Sequence, residues 1–304
     1  MKIFAPHYYN DFKCIASRCR HNCCIGWEID IDKDTLEKYK AVGGTLGKRL
    51  RDAVEEDENG AHFRLDAHER CPFLNREGLC DIITAMGEDA LCEICTQHPR
   101  YRHFLSDRTE LGLGLCCEEA VRLLLSQKEK TRLVLVGEDD EEKYFPDPFE
   151  KNLLKTRGKL ISLAQDRDLP YPLRAQKVLS AVGFAPFAAS FSAWGGFYRS
   201  LERLDAAWDA CLDALAAPAP DDYAETESEQ LLVYFLLRHL AEAENDEALA
   251  VRAAFAVHAV EIIRAVSYSL PSLGMAESAR LYSSEIEYSE ENTEAVMQKL
   301  CGET

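Results

Sequence analysis

Ten of the chain's 12 cysteines fall between Cys14 and Cys117, and only Cys211 and Cys301 lie beyond. No folding argument can ignore that crowding. Four thiols occupy the run Cys14-Ile-Ala-Ser-Arg-Cys19-Arg-His-Asn-Cys23-Cys24; Cys71 and Cys80 follow, then Cys92 and Cys95, then Cys116 and Cys117. A lone buried cysteine behaves as a small hydrophobe, and for any single one of these that is the better reading. For the group it is not, because thiolates are soft ligands and about four of them satisfy Zn²⁺ or an iron–sulfur cluster. Whatever the thiols do, the first 120 residues do it.

The N-terminus, from Met1 to Tyr9, lacks the basic start, apolar run and small-residue cleavage site of a secretory leader. No segment is apolar for the roughly 20 residues that a bilayer requires. The reading is therefore a cytoplasmic protein with no membrane partner, in a reducing compartment where clustered cysteines hold metal or do redox chemistry rather than form disulfides. A balance of 35 basic against 53 acidic residues, net −18, opposes the counterion release on which nucleic-acid binding depends. Nucleic acid is excluded as a partner. Such a surface attracts a basic partner, or serves solubility alone.

The patterning predicts a mainly α fold in two parts: an irregular cysteine-rich metal-binding N-terminal domain with short helices, followed by an α-helical domain. With 47% hydrophobic content, 304 residues suffice for both. The first is placed at 1–136 as a metal- or iron–sulfur-binding domain, with an acidic, proline-containing linker at 137–148 and a helical domain at 149–304 that serves substrate binding. Within the first, 34–42 reads as a short helix stopped by Gly43-Gly44, 71–80 as a tight loop or hairpin, 88–97 as a helix ended near Pro99, and Glu118 as the start of another helix. In the second, helices are expected at 149–165, 173–182, 197–215, 228–243 and 247–269. Leu231, Leu232, Phe235, Leu236 and Leu240 follow the helical period of a core-facing stripe.

Cys92 and Cys95, three apart, share one helix face, while the Cys71–Cys80 turn folds its two thiols together, as zinc ribbons do. The twin thiols Cys23 and Cys24 are expected to diverge and so not to share an ion. The radical S-adenosylmethionine spacing fails, because Gly26 stands where its third cysteine would be, and the bacterial ferredoxin run is absent. Gly43-Gly-Thr-Leu-Gly47 and Gly112-Leu-Gly114 lack the spacing of a dinucleotide fingerprint.

Five linked stretches do form a recognisable order: Phe12-Lys-Cys14; Cys19-Arg-His-Asn-Cys23-Cys24-Ile-Gly-Trp27-Glu-Ile; Cys71-Pro-Phe-Leu with Gly78-Leu-Cys80; Leu91 with Cys95-Thr-Gln-His-Pro99-Arg100; and Leu113-Gly-Leu-Cys116-Cys117-Glu-Glu. Together they resemble the flagellin lysine-N-methylase (FliB) family and the wider group of small cysteine-rich domains that chelate zinc or iron. The resemblance covers roughly 12–125, and 282–292 also looks like a family C-terminal segment. It implies methyl transfer from S-adenosylmethionine to surface lysines of flagellin or a similar protein, with an iron–sulfur cluster of the [4Fe-4S] type and zinc as the alternative metal. Carried over residue by residue, its ligand positions fall on Cys14, Cys19, Cys23, Cys24, Cys71, Cys80, Cys95 and Cys117, leaving Cys92 and Cys116 as extras. Glu118 stands where the family has Pro, and His98 where it has an aromatic residue.

Lysine methylation requires a neutral amine in line with a sulfonium-bound methyl. The candidates for taking its proton are Glu285, Glu287 and Tyr288, and Tyr234 with Arg238 and His239; a packed surface pair is the favoured reading of Tyr234 and Arg238. His21 reads as a solvated loop histidine rather than a ligand. Trp27 and Tyr101 offer faces to a sulfonium or, more simply, packing. Cys117 is expected at a helix N-terminus, where the dipole favours thiolate. The leading reading is a lysine methyltransferase; the alternative is a non-catalytic zinc- or cluster-bearing interaction or redox-sensing module.

Overall fold

The computed structural model describes residues 1–58 and 60–302. Glu303 and Thr304, the end of the expected helical domain, lie outside the described residues. The chain forms two compact units, one of 13–100 and one of 1–12 with 101–304.

Strand β1 (Lys2–Pro6) opens the larger unit. The smaller unit then runs through β2 (Asp30–Ile31), α1 (Lys33–Ala41), α2 (Gly44–Ala53), β3 (Val54–Glu56), β4 (Ala61–Phe63), α3 (Asp81–Met86) and α4 (Glu93–Gln97). Its three strands lie in the order β2-β4-β3, antiparallel throughout. Regular structure is sparse, as expected of a segment rich in turns. The core here is Ile29, Ile31, Leu36, Tyr39, Leu50, Phe63, Phe73 and Ile82, together with Cys71 and Cys92. So few large apolar side chains make a small core, the situation in which metal or disulfide support is normally needed.

The larger unit resumes with β5 (Arg100–Phe104), β6 (Arg108–Leu113), α5 (Glu118–Leu125) and β7 (Leu133–Glu138). These strands form a sheet in the order β5-β6-β1-β7, with β1 parallel to β6 and antiparallel to β7. Helices follow: α6 (Pro148–Ala164), α7 (Tyr171–Ala181), α8 (Phe191–Tyr198), α9 (Trp208–Ala214), α10 (Glu225–Leu240), α11 (Asp246–Ser269), α12 (Gly274–Tyr282), a π-helical turn at Ser283–Glu287, and α13 (Glu290–Cys301). The fold is mainly α, as the patterning implied. Among the described residues no helix is long and apolar enough to cross a membrane.

Helices α10 and α11 are buried on nearly all faces, so their polar residues have to find partners inside the protein. Gln230 of α10 donates to the carbonyls of Gln127 and Glu129 and accepts from Thr131 Oγ1 at 2.6 Å. Glu229 receives Arg167 through two nitrogens at 2.8 and 2.9 Å and Arg174 at 2.9 Å. These bonds tie the segment after α5, the α6–α7 connection and helix α7 to the side of α10.

Two sequence expectations change. The boundary expected at 137–148 is not where the units divide: β7 lies partly inside that linker, and its pairing with β1 joins 1–12 and 101–138 to the helices. The single helix expected at 197–215 is two, α8 and α9, separated by 199–207. Backbone N–H groups in that gap turn away from a helical ladder and bond side chains: Glu202 N donates to Asn292 Oδ1 at 3.2 Å, and Leu204 N and Asp205 N donate to Glu285.

Glu110 on β6 meets Arg157 on α6 at 2.6 Å, with both side chains about 5% exposed or less. Glu110→Ala leaves that guanidinium buried without its anion, a change that costs about 3–5 kcal/mol. A lowered urea midpoint with an unchanged slope is the expected outcome; a midpoint equal to the wild type's contradicts it.

Candidate functional site

In the smaller unit Asp32 organises the thiols. Its Oδ1 caps α1 by accepting from Thr35 N at 2.9 Å, and its Oδ2 accepts from Glu93 N at 2.9 Å, the first residue of α4. Burial pushes its carboxyl up, but these two backbone N–H groups pull harder and hold it below its usual value. One carboxylate thus starts both helices and fixes Cys92, the N-cap of α4, beside α1. The sequence reading began that helix at Asp34; the Asp32-x-x-Thr35 spacing was the available signal.

Asn75 shapes the next loop. Its Oδ1 accepts from Glu77 N and Leu79 N, and its Nδ2 donates to Asp81 Oδ1 at 3.0 Å, so that Leu74 and Cys80 bridge across a turn completed by Gly78 at φ +73°. Arg49 holds the other oxygen of Asp81 at 2.6 Å. The first cysteine run joins this loop through Cys71 N, which donates to Cys24 O at 2.8 Å, and through the Ile25–Arg70 bridge.

Five thiols come within electrostatic reach of one another as a result. Cys24 is raised by its bond to Cys23 and by burial, then by Cys71 and Cys80; Cys95 is raised by its bond to Cys92 and by burial, then by Cys92, Cys24 and Cys71. Burial, with Cys80 and Cys92 nearby, pushes Cys71 up to about 11. In each close pair the partner takes the hydrogen bond: Cys23 is lowered to about 7 by accepting from Cys24, and Cys92 is lowered by accepting from Cys95. Cys23 and Cys24 therefore do not diverge as expected. Ile25 N and Cys24 N both bond to Asn22 in the turn that carries this pair.

The expected ligand positions fall into three places. Cys24, Cys71, Cys80 and Cys95 converge, and Cys92, expected to be an extra, is buried among them. Cys14 is exposed with its sulfur accepting from Ala16 N, and Cys19 donates to His21 O at 3.3 Å. Cys117 belongs to the larger unit, where it is the N-cap of α5 as anticipated. The donors that converge are soft and of one kind. Among the described residues, however, no group of three or more His, Cys, Asp or Glu side chains stands arranged to hold a metal ion. Trp27 packs its ring on His98 at 5.6 Å, so the histidine fills the aromatic position before Pro99. Burial, helped by Arg100, lowers His98 to about 4 and keeps it neutral.

The larger unit brings together the two groups of candidate proton acceptors. Tyr234, Arg238 and His239 of α10 meet Glu287 at the end of the π-helical turn. Tyr234 Oη donates to the carboxylate at 3.2 Å, Arg238 Nε lies 3.2 Å from it and His239 Nε2 2.8 Å. Arg238 is also within 4.8 Å of the Tyr101 ring centre and 5.4 Å of that of Tyr288. A Cβ at Gly112 would overlap the Tyr101 ring, which explains a glycine near the end of β6. The surface pair expected of Tyr234 and Arg238 is thus an interior one, because Glu287 supplies the countercharge that lets arginine enter.

This geometry limits the chemistry. Burial pushes Glu287 up, but Arg238 and His239 more than offset it and keep the carboxylate ionised. Tyr234, Arg238 and His239 surround that carboxylate, so it is not poised to take a proton. Burial raises the Tyr234 and Tyr101 phenols far above their usual range, leaving them hydrogen-bonding groups rather than bases. Glu285 is bound to the backbone of the α8–α9 connection. Tyr288, 45% exposed, is the candidate that reaches solvent. Tyr101, considered as a face for a sulfonium, already has Arg238 over it.

The smaller unit thus carries a group of neighbouring thiols, and the larger unit, described by itself, a buried ionic cluster around Glu287. Comparison with known proteins agrees with the resemblance read from the motifs. The chain is 30% identical over 137 residues to lysine-N-methylases of Salmonella choleraesuis and Salmonella typhimurium, matching 43% of this chain and 34% of each relative. It is 28% identical over 137 residues to the flagellar biosynthetic protein FliU of Salmonella muenchen, matching 81% of that protein. The chain thus spans about a third of the length of the two lysine-N-methylases. No protein-family model and no solved structure matches it.

Because Glu287 has a lowered carboxyl, its contribution to stability is present above the usual glutamate value of 4.5 and is lost as the pH falls below it. Glu287→Gln should unfold more readily at neutral pH and show a flatter loss of stability between pH 5 and 3. Denaturant midpoints across that range check this, and parallel curves for the two proteins contradict it.

Proposed function

We propose that the chain is a protein lysine N-methyltransferase acting on flagellin or a similar lysine-bearing protein, with S-adenosylmethionine as methyl donor and a [4Fe-4S] cluster held by the smaller unit. The observation that carries the reading is its similarity to proteins named lysine-N-methylase, on a chain whose motifs follow that family in order. Flagellin as the substrate is supported by the flagellar relative.

The thiols that would hold the cluster are Cys24, Cys71, Cys80, Cys92 and Cys95, supplemented by Cys14, Cys19, Cys23 and Cys117 of the family pattern. Several neighbouring thiols raise one another's proton affinity, and a thiophilic cation relieves that repulsion by binding the thiolates. When bound, such a cluster supplies electron-transfer capacity or a rigid anchor for the polypeptide.

In methyl transfer the lysine nitrogen forms a bond to the methyl carbon as the sulfonium carbon–sulfur bond breaks, and the amine's proton must leave beforehand. Glu287 and Tyr234 are too firmly bound to receive it. Their role is to hold Arg238 and the rings of Tyr101 and Tyr288 in place, with Tyr288 left as the side chain able to hydrogen-bond an incoming amine.

A second reading, a zinc- or cluster-bearing interaction or redox-sensing module, is favoured by one observation: the chain matches only a third of each lysine-N-methylase. Incubating anaerobically purified protein with flagellin and S-adenosylmethionine separates the two. The methyltransferase reading predicts lysine mass increments of 14 Da, about one methyl group each by the chemistry of the reaction; unmodified flagellin contradicts it.

A further inference from the structure

Strand β7 is an edge of the larger unit's sheet, and among the described residues β1 is the one strand it pairs with. Arg132 O accepts from His7 N, and the antiparallel ladder alternates from there, so the N–H and C=O groups of Leu133 and Leu135 turn to the outer edge. The Leu135 side chain is 52% exposed. An open edge carrying Leu133-Val134-Leu135-Val136 is a template for pairing with another chain.

The residues that flank the strand decide which chain. Lys128, Lys130 and Arg132 precede it, with Glu129 the one acid among them, and Glu138, Asp139, Asp140, Glu141 and Glu142 close it, all of them exposed. Among the described residues no ion pair or hydrogen bond holds the side chains of Lys128, Lys130, Glu138 or Asp140. Arg132 meets Glu129 at 3.5 Å, but both side chains are more than 60% exposed, so that pair holds it weakly. Asp139 is taken by the Met1 ammonium at 2.8 Å, and Glu142 accepts from Tyr144 Oη at 3.1 Å. The backbone of each flank is fixed. Lys128 O accepts from Arg167 at 3.0 Å, Glu129 O from Gln230 at 2.7 Å and Thr131 O from Gln165 at 2.9 Å, while Asp139 N donates to Met1 O at 2.9 Å. The two signs of charge are thus held at opposite ends of the edge. A parallel copy of β7 would set base on base and acid on acid; an antiparallel copy sets each on its opposite. A partner strand of uniform charge would be attracted at one end and repelled at the other.

We propose that β7 is a self-association edge, on which a second copy of this chain docks its own β7 antiparallel about a two-fold axis at Leu135. Each Arg132 then faces the partner's Glu138, with Lys130 toward Asp140 and Lys128 toward Glu142. Every such pair occurs twice, because a two-fold interface uses the same surface on both copies. The N–H and C=O of Leu135 meet those of the other copy, and the two exposed leucines cover each other. The β1–β7 register shifts at Val136, which bends the strand beyond Leu135 and keeps the contact short. Association through it is therefore weak and depends on the charges more than on apolar area. This edge takes no part in the proposed methyl transfer, and it stands or falls independently of that reading.

The test is sedimentation velocity of the full chain at roughly 1 to 100 µM, the range in which a short interface associates. A monomer–dimer equilibrium is expected, shifting to monomer as salt rises from about 0.05 to 0.5 M. Arg132→Glu and Glu138→Arg should each weaken dimerisation at least about tenfold, since each sets like charges opposite one another. Mixing the two variants should restore it, because every facing pair in the mixed dimer is again of opposite sign. Circular dichroism checks that the variants are folded, and the salt series on the wild-type protein tests the charge dependence whether or not they are. A monomer throughout the range, a dimer indifferent to salt, folded single reversals without effect, or no recovery on mixing overturns the proposal. So does growth beyond a dimer, which pairing of β7 with the sheet's other edge, β5, would give.

Discussion

The carboxylate of Glu287, sealed from water at the end of a π-helical turn, has to be met by cations and donors from another element, and α10 supplies them. Tyr234, Arg238 and His239 are placed by helical spacing on one side of α10, so a single carboxylate locks the C-terminal segment to the most buried helix of the protein. Arg238 in turn positions Tyr101 and Tyr288. The same device recurs where Glu229 takes Arg167 and Arg174 and where Glu110 takes Arg157. Ion pairs of this kind contribute little net stability compared with apolar packing, yet removing one partner is severe, so they fix which helix faces which rather than adding to the core.

The smaller unit meets a different constraint. Its core has few large side chains, and two of its buried members are cysteines. Asp32 and Asn75, each bonding two backbone N–H groups, replace the ladders that longer helices and strands would supply. They bring together loops that are far apart in sequence, and with them Cys24, Cys71, Cys80, Cys92 and Cys95. Polar caps and turns thus do in this unit what apolar packing does in the other, and the thiols are carried by the loops that those caps and turns hold.

Much of the helical part was legible in the sequence. The helices beginning at Pro148, Tyr171, Glu225 and Asp246 lie within about three residues of expectation, because each carries a long periodic apolar pattern. The sheet was not legible: β1 and β7 are short, half-buried strands without clean alternation, and their pairing spans most of the first 138 residues. The break between α8 and α9 was hidden because it depends on Glu285 and Asn292, some 80 to 90 residues away. Of the candidate site, the thiol motifs and the residues Tyr234, Arg238, His239, Glu287 and Tyr288 could be picked out. That the last five form one cluster could not, since i, i+4 spacing on a helix says nothing about what faces it. The placing of Cys92 was not legible for a similar reason: its place beside α1 is set by Asp32, sixty residues earlier.

Central to the account is the proposal that the converging thiols bind a soft metal centre. The most direct measurement is the iron, sulfide and zinc content per chain after anaerobic isolation, taken with the visible absorption spectrum. The account predicts a brown protein with broad visible absorption and bound iron and sulfide. A colourless protein with zinc, or with no metal, would contradict the iron–sulfur assignment, and absence of all metal would contradict the chelating role altogether.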